Sequence, residues 1–201
     1  MSFYHLPKKA TVESWVNKVP EDFLFCPKMS KYLTHIKRLK EPEETLERFF
    51  EVFEPMKHKM APVLIQTPPS LAFNYDTAEY LYQVLKKDYK GYRFAMEGRH
   101  ATWLTEESID LMAKYDIAFV VSQSGVGFPY AEHVTARDIY IRFHGPGKLY
   151  DSSYTTAELE KFAKLFNKWL KEKHTLWIFF NNCYHTYAIQ NGLELEKMLH
   201  V

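Results

Sequence analysis

Six short segments rich in β-branched and aromatic residues alternate along this chain with six segments whose apolar residues recur at helical spacing, and this alternation constrains the fold more than any other feature. The strand-like segments are "DFLFCPK" (22–28), "APVLIQ" (61–66), "YRFAME" (92–97), "IAFVVS" (117–122), "DIYIRFHG" (138–145) and "TLWIFFNN" (175–182). Before and between them, and again at the end, lie "ATVESWVNKV", "EPEETLERFFEVFEPMKHK", "DTAEYLYQVLKKDY", "TEESIDLMAKYD", "TAELEKFAKLFNKWLKEK" and "AIQNGLELEKML". In the second of these, Leu46, Phe49, Phe50 and Phe53 form one apolar stripe on a helix whose other face carries Glu and Arg. Thr105 ahead of Glu106 and Glu107, and Thr155-Thr156 ahead of Glu158, read as N-caps with acidic first turns. Strand-helix-strand order repeated in this way predicts an α/β fold with a parallel sheet and right-handed crossovers.

Whether such a sheet closes into a barrel or stays open and doubly wound is not decided by the alternation. The chain has 7 glycines and lacks both GxGxxG and GxxxxGK[ST], which argues against a dinucleotide or P-loop site. With no internal repeat, linker or low-complexity stretch, residues 1–201 read as a single domain. The longest expected loop is "SQSGVGFPYAEHV" (122–134).

The 26 Lys and Arg nearly balance the 25 Asp and Glu, so any charge specialisation is local. No signal-like start and no run of about eighteen apolar residues is present. Cys26 and Cys183 stand far apart and form no CxxC pair, which fits a reducing compartment. The expectation is a cytoplasmic protein without a membrane partner.

Every strand-like segment ends in a polar side chain: Lys28, Gln66, Glu97, Ser122, Arg142 with His144, and Asn181 with Asn182. In a parallel α/β barrel these ends share one mouth, where the following loops build active sites. In "DIYIRFH", Ile139, Ile141 and Phe143 share one face while Tyr140, Arg142 and His144 share the other; alternation cannot choose between Asn181 and Asn182. Glu97 beside His100 and His144 suits general acid-base chemistry, and a purely structural ion pair of Glu97 with Arg99 or Arg142 is the alternative. A metal is disfavoured, because no HExxH spacing exists and Lys28, Arg99 and Arg142 would repel a divalent cation. The same cations, with His35 and Arg38 from "THIKRL", favour a phosphate or carboxylate. No GxSxG elbow or Cys-His pattern supports covalent catalysis.

Five segments in order, "CPKMSKYLTHIKRL", "VLIQTPPSLAF", "EGRHATW", "YIRFHGP" and "FFNNCYHTYAIQN", resemble the YecE-like family, a domain of unknown function of TIM-barrel type. The resemblance runs along essentially the whole chain. It departs at Gly98, where the family motif has Phe, and at Thr102, where it has Ser, which implies looser packing beside Glu97. It also departs at the start, since "MSFYHLP" matches only the tail of the family's opening strands. The fold that follows is a TIM-like (β/α) barrel, incomplete and N-terminally shortened, missing the first strand-helix unit and most of the next strand.

Within that frame the expected site is a pocket at the C-terminal mouth. Glu97, His100 and His144 would be catalytic; Lys28, His35, Arg38, Gln66, Arg99, Arg142, Asn181 and Asn182 would bind the ligand. That ligand would be a small phosphorylated or carboxylated anion, with no metal and no cofactor. The alternatives are a non-catalytic protein for nucleic acid or another polyanion, which the near-zero net charge does not support, and an inactive truncated remnant. A homo-oligomer that covers exposed barrel edges would follow from the missing strands.

Overall fold

The computed structural model describes residues 3–125 and 127–200 and divides into two compact units, Met1–Ile117 and Ala118–Val201. In the first, α1 (Lys9–Val16), α2 (Glu43–Phe53), α3 (Tyr75–Asp88) and α4 (Glu106–Lys114) accompany β1 (Val63–Gln66) and β2 (Phe94–Glu97). In the second, β3 (Ala118–Gln123), β4 (Asp138–Phe143) and β5 (Thr175–Phe180) accompany α5 (Thr156–Lys171) and α6 (Tyr187–Met198). All observed strand pairs are parallel: β1 with β2, β3 with β4, β4 with β5. Both β1 and β2 are buried along their full length, their apolar residues as a parallel sheet requires and the polar Gln66 and Glu97 at their ends as well.

The helices form where the spacing predicts. Leu46, Phe49, Phe50 and Phe53 are the buried stripe of α2. Thr155 and Glu158 complete a capping box on α5, the Thr155 side chain meeting the Glu158 amide and the Glu158 carboxylate meeting the Thr155 amide. Thr105 does sit at the N-cap of α4, but its hydroxyl donates to Thr102 O (3.0 Å) instead of capping. The N-cap of α3 is Asn74, whose side chain accepts from Thr77 N (3.0 Å). At the end of α5, Lys173 N reaches Leu170 O (3.0 Å) and His174 N reaches Trp169 O (3.1 Å), a Schellman motif that puts Lys173 at φ 68°. The end of α4 repeats it, with Asp116 at φ 56°.

The expected TIM-like barrel, incomplete by one strand-helix unit and most of a further strand, is corrected by the strand pairing. Among the described residues the named strands number five, not six; in the first unit β1 pairs with β2, and in the second β3 pairs with β4 and β4 with β5, with no further named strand on β1 or β5. The segment 22–28 forms no named strand and pairs its backbone with β1 and its lead-in at isolated bridges, Phe25 to Met60 and Lys28 to Leu64. Pro27 is the reason. It accepts from Leu64 N (2.9 Å) but has no amide to return, so the ladder breaks there. No described helix is long and apolar enough to cross a membrane.

Candidate functional site

In the first unit the registration of β1 on β2 places Gln66 beside Glu97, so two polar strand exits become neighbours. Lys28 arrives from the bridged segment and donates from Nζ to Gln66 Oε1 (2.7 Å). Thr67, fully buried, ties the exits together: its amide donates to Glu97 O (3.0 Å), and its hydroxyl lies 3.4 Å from both Glu97 O and Arg99 N. Glu97 is 1% exposed. Arg99 answers that burial by placing Nε (2.9 Å) and Nη2 (2.8 Å) on Glu97 Oε1, because a carboxylate so far from water requires a matched charge.

His35 stands on a single π-helical turn, Tyr32–Ile36, a distortion often met at functional sites. Its Nδ1 lies 2.8 Å from Thr34 Oγ1, and its ring meets Phe3 edge-on at 5.2 Å. Lys28 Nζ sits over that same Phe3 ring, 3.8 Å from its centre. Burial, and after it the positive charges of Lys28, Lys31 and Arg99, push the His35 imidazole below its ordinary pKa. Three cations therefore act on this one imidazole.

Other residues support this cluster without joining it. His100 caps the short turn that follows, its Nδ1 accepting from Thr102 N (3.3 Å) and lying 2.9 Å from Thr102 Oγ1. Thr102 Oγ1 also receives Phe73 N (2.7 Å). Gly98 is not a loose spot. A Cβ there would fall 2.2 Å from Trp103 Cβ and Cγ, so the indole has taken the space, anchored by its Nε1 donating to Leu71 O (2.8 Å). Arg38, left-handed at φ 53°, reaches Ser70 O (2.9 Å) and lines a cleft of about 530 Å³ together with Lys37, Asn74 and Trp103. None of its described contacts joins it to Lys28 or Glu97.

In the second unit Phe143 packs on Phe162 and Phe166 of α5, while Tyr140 stacks on Phe179 of β5 at 4.8 Å, so the two faces of β4 divide as its alternation predicts. Arg142, half-buried, pairs in register with Ser122 and Phe179. His144 is wholly buried between Phe128 and Tyr150, with edge-on ring contacts at 5.3 and 5.6 Å. Gly145 follows at φ 103°, where a side chain would strike Ser152 Oγ at 2.6 Å, and its amide donates to Tyr154 OH (3.0 Å).

The pairing of β4 with β5 also separates the two asparagines. Phe180 stacks on Phe143, placing Asn182 in phase with the helix-facing side, and there its Nδ2 donates to Ser152 O and Asn191 Oδ1, both at 3.0 Å. Asn191 in turn donates to Tyr154 O (3.0 Å). Asn182 thus ties the loop before α5 to α6. Asn181 continues the ladder through its amide to Phe143 O (2.7 Å), in phase with Phe179, and its Nδ2 is buried with no hydrogen-bond partner among the described residues.

Sequence reasoning passed over Thr34, Thr67 and Phe3. Thr67 follows Gln66 directly at a strand exit and Thr34 precedes His35, so adjacency was the available signal; Phe3 had none. Among the described residues no three or more His, Cys, Asp or Glu gather as a metal site would require.

A family model described as "protein of unknown function DUF72", the same family as YecE-like, matches residues 1–201. A crystal structure of a DUF72 family protein from Thermotoga maritima is 30% identical with a TM-score of 0.81, covering 98% of this chain and 81% of that one. Two structures of a DUF72 family protein from Enterococcus faecalis, each 22% identical, give TM-scores of 0.86 and 0.84. They cover 100% and 98% of this chain, and 82% and 86% of theirs, and at that identity they speak for the fold alone. No curated protein matches the chain.

Proposed function

The chain belongs to the DUF72 family, whose activity is not established, and from that premise we propose that its first unit binds a small phosphorylated or carboxylated anion at the exits of β1 and β2. The observation that carries this reading is the cationic field at His35. Lys28, Lys31 and Arg99 act there together, and Arg99 is also paired with Glu97. Like charges gather at a cost, and an anionic ligand relieves it. The carboxyl ends of parallel strands are also where open α/β sheets bind their ligands. Arg99 supplies a planar fork and Lys28 a point charge, the pair of geometries that phosphate and carboxylate recognition uses. Glu97 fixes the Arg99 fork and stands at the strand exit as the buried carboxyl group available for acid-base work.

A thermal-shift screen tests the reading. Inorganic phosphate, glycerol 3-phosphate and citrate are compared with sodium chloride at equal ionic strength. A ligand of the native state present at a hundred times its Kd stabilises by about 2.7 kcal/mol, which in a chain of this length raises Tm by about 5 to 10 °C. At least one anion is expected to produce such a rise. No rise beyond that of chloride sinks the proposal.

A further inference from the structure

We propose that His35 is the hydrogen-bond acceptor of this anion site, with its lone pair on Nε2, and that the site therefore takes a small anion carrying a hydroxyl group next to its carboxylate or phosphate. The inference rests on the anion reading above and narrows its ligand class.

The argument follows one chain of hydrogen bonds. A carbonyl oxygen only accepts, so the contact between Thr34 Oγ1 and Ser30 O (3.2 Å) uses the hydroxyl hydrogen of Thr34. A threonine has no second hydrogen on that oxygen. The contact between Thr34 Oγ1 and His35 Nδ1 (2.8 Å) must then run the other way, with Nδ1–H as donor. In a neutral imidazole a protonated Nδ1 leaves Nε2 bare. Thr34 is fully buried and its own amide lies 3.4 Å from Ser30 O, so the turn holds the hydroxyl in place.

The surroundings keep the ring neutral. The groups that face it are the Phe3 edge, Thr34, and the cations Lys28, Lys31 and Arg99, which oppose a further positive charge. Those cations can satisfy the oxyanion of a ligand but cannot receive a hydrogen bond. Gln66 Oε1 already receives Lys28, and Glu97 Oε1 already receives Arg99 twice. The imidazole lone pair is an acceptor that no described contact engages, held unprotonated among donors. A ligand hydroxyl is the chemistry that uses both.

Two measurements decide it. Long-range 15N–1H correlation of the histidine rings at pH 7, with the His35 signals assigned by their loss in His35→Phe, is expected to show a neutral ring protonated at Nδ1. A ring protonated at Nε2, or a charged ring, overturns the proposal. Thermal-shift titrations with malate and succinate, which differ by one hydroxyl, are expected to give malate about fivefold to tenfold tighter binding, the yield of one hydrogen bond. In His35→Phe that ratio is expected to fall to about one while succinate still binds; a ratio that persists overturns the proposal. Thr34→Val, nearly isosteric, removes the oxygen that fixes the tautomer and is expected to shrink the ratio with the ring still present, which keeps the test open if His35→Phe does not fold. Absence of any shift with either acid in wild-type protein overturns the ligand class, whereas the phosphate, glycerol 3-phosphate and citrate screen decides the anion reading and the NMR spectrum decides the tautomer.

Discussion

The sequence left Arg99 and Arg142 as alternative ion-pair partners for Glu97, and the structure pairs it with Arg99: two residues beyond the strand, the guanidinium returns to the one carboxylate the strand has carried inside. Between them Gly98 leaves room for Trp103. Gly98→Ala is expected to cost about 1–3 kcal/mol in urea unfolding, because the indole cannot retreat without giving up its bond to Leu71 O. An unchanged midpoint would show that the indole moves freely. His35 has a pH signature. Its folded pKa is held below the value of 6.5 that an unfolded chain gives it, so the unfolded state binds more protons through that interval. The stability it contributes is present above about pH 6.5 and is lost as pH falls through the folded pKa. Lys28→Met removes one opposing charge and is expected to flatten that acid-side decline, as followed by Tm against pH.

The regular elements were legible at the scale of whole segments. All six helical stretches and five of the six strand-like ones appear within a few residues of where periodicity placed them, because burial of a stripe or a run is what the sequence pattern encodes. The sixth, 22–28, failed on a single residue: apolar character favoured a strand, yet Pro27 has no amide to give. The π-helical turn at Tyr32–Ile36 and the left-handed residues Arg38, Leu39 and Glu41 after it left no pattern to read, since they depend on what the turn packs against. Helix ends give two predictions. Thr155→Ala removes the capping box of α5 and is expected to destabilise by about 1 kcal/mol. Lys173→Gly relieves a left-handed backbone at the Schellman position and is expected to stabilise by about 1 kcal/mol, whereas Lys173→Ala gains nothing. Chemical denaturation of the three variants checks both.

Across the whole molecule, near-balanced charge conceals a local excess, and composition could not have located it. Six polar strand exits were visible as a set, but their destinations differ in ways that only side-chain geometry reveals. Lys28, Gln66, Glu97, Arg99 and His35 meet in the first unit; Arg38 turns to Ser70, His100 to a cap, and Asn182 to the α6 network. The central claim is that Lys28 and its neighbours form an anion site, and calorimetric titration of inorganic phosphate into wild-type protein and Lys28→Met at low salt tests it most directly. The account predicts one saturable site in the wild type, weakened about tenfold or more when the ammonium is removed, the effect of losing one charged hydrogen bond. Equal phosphate affinity in the two proteins, or no saturable binding in the wild type, would contradict it.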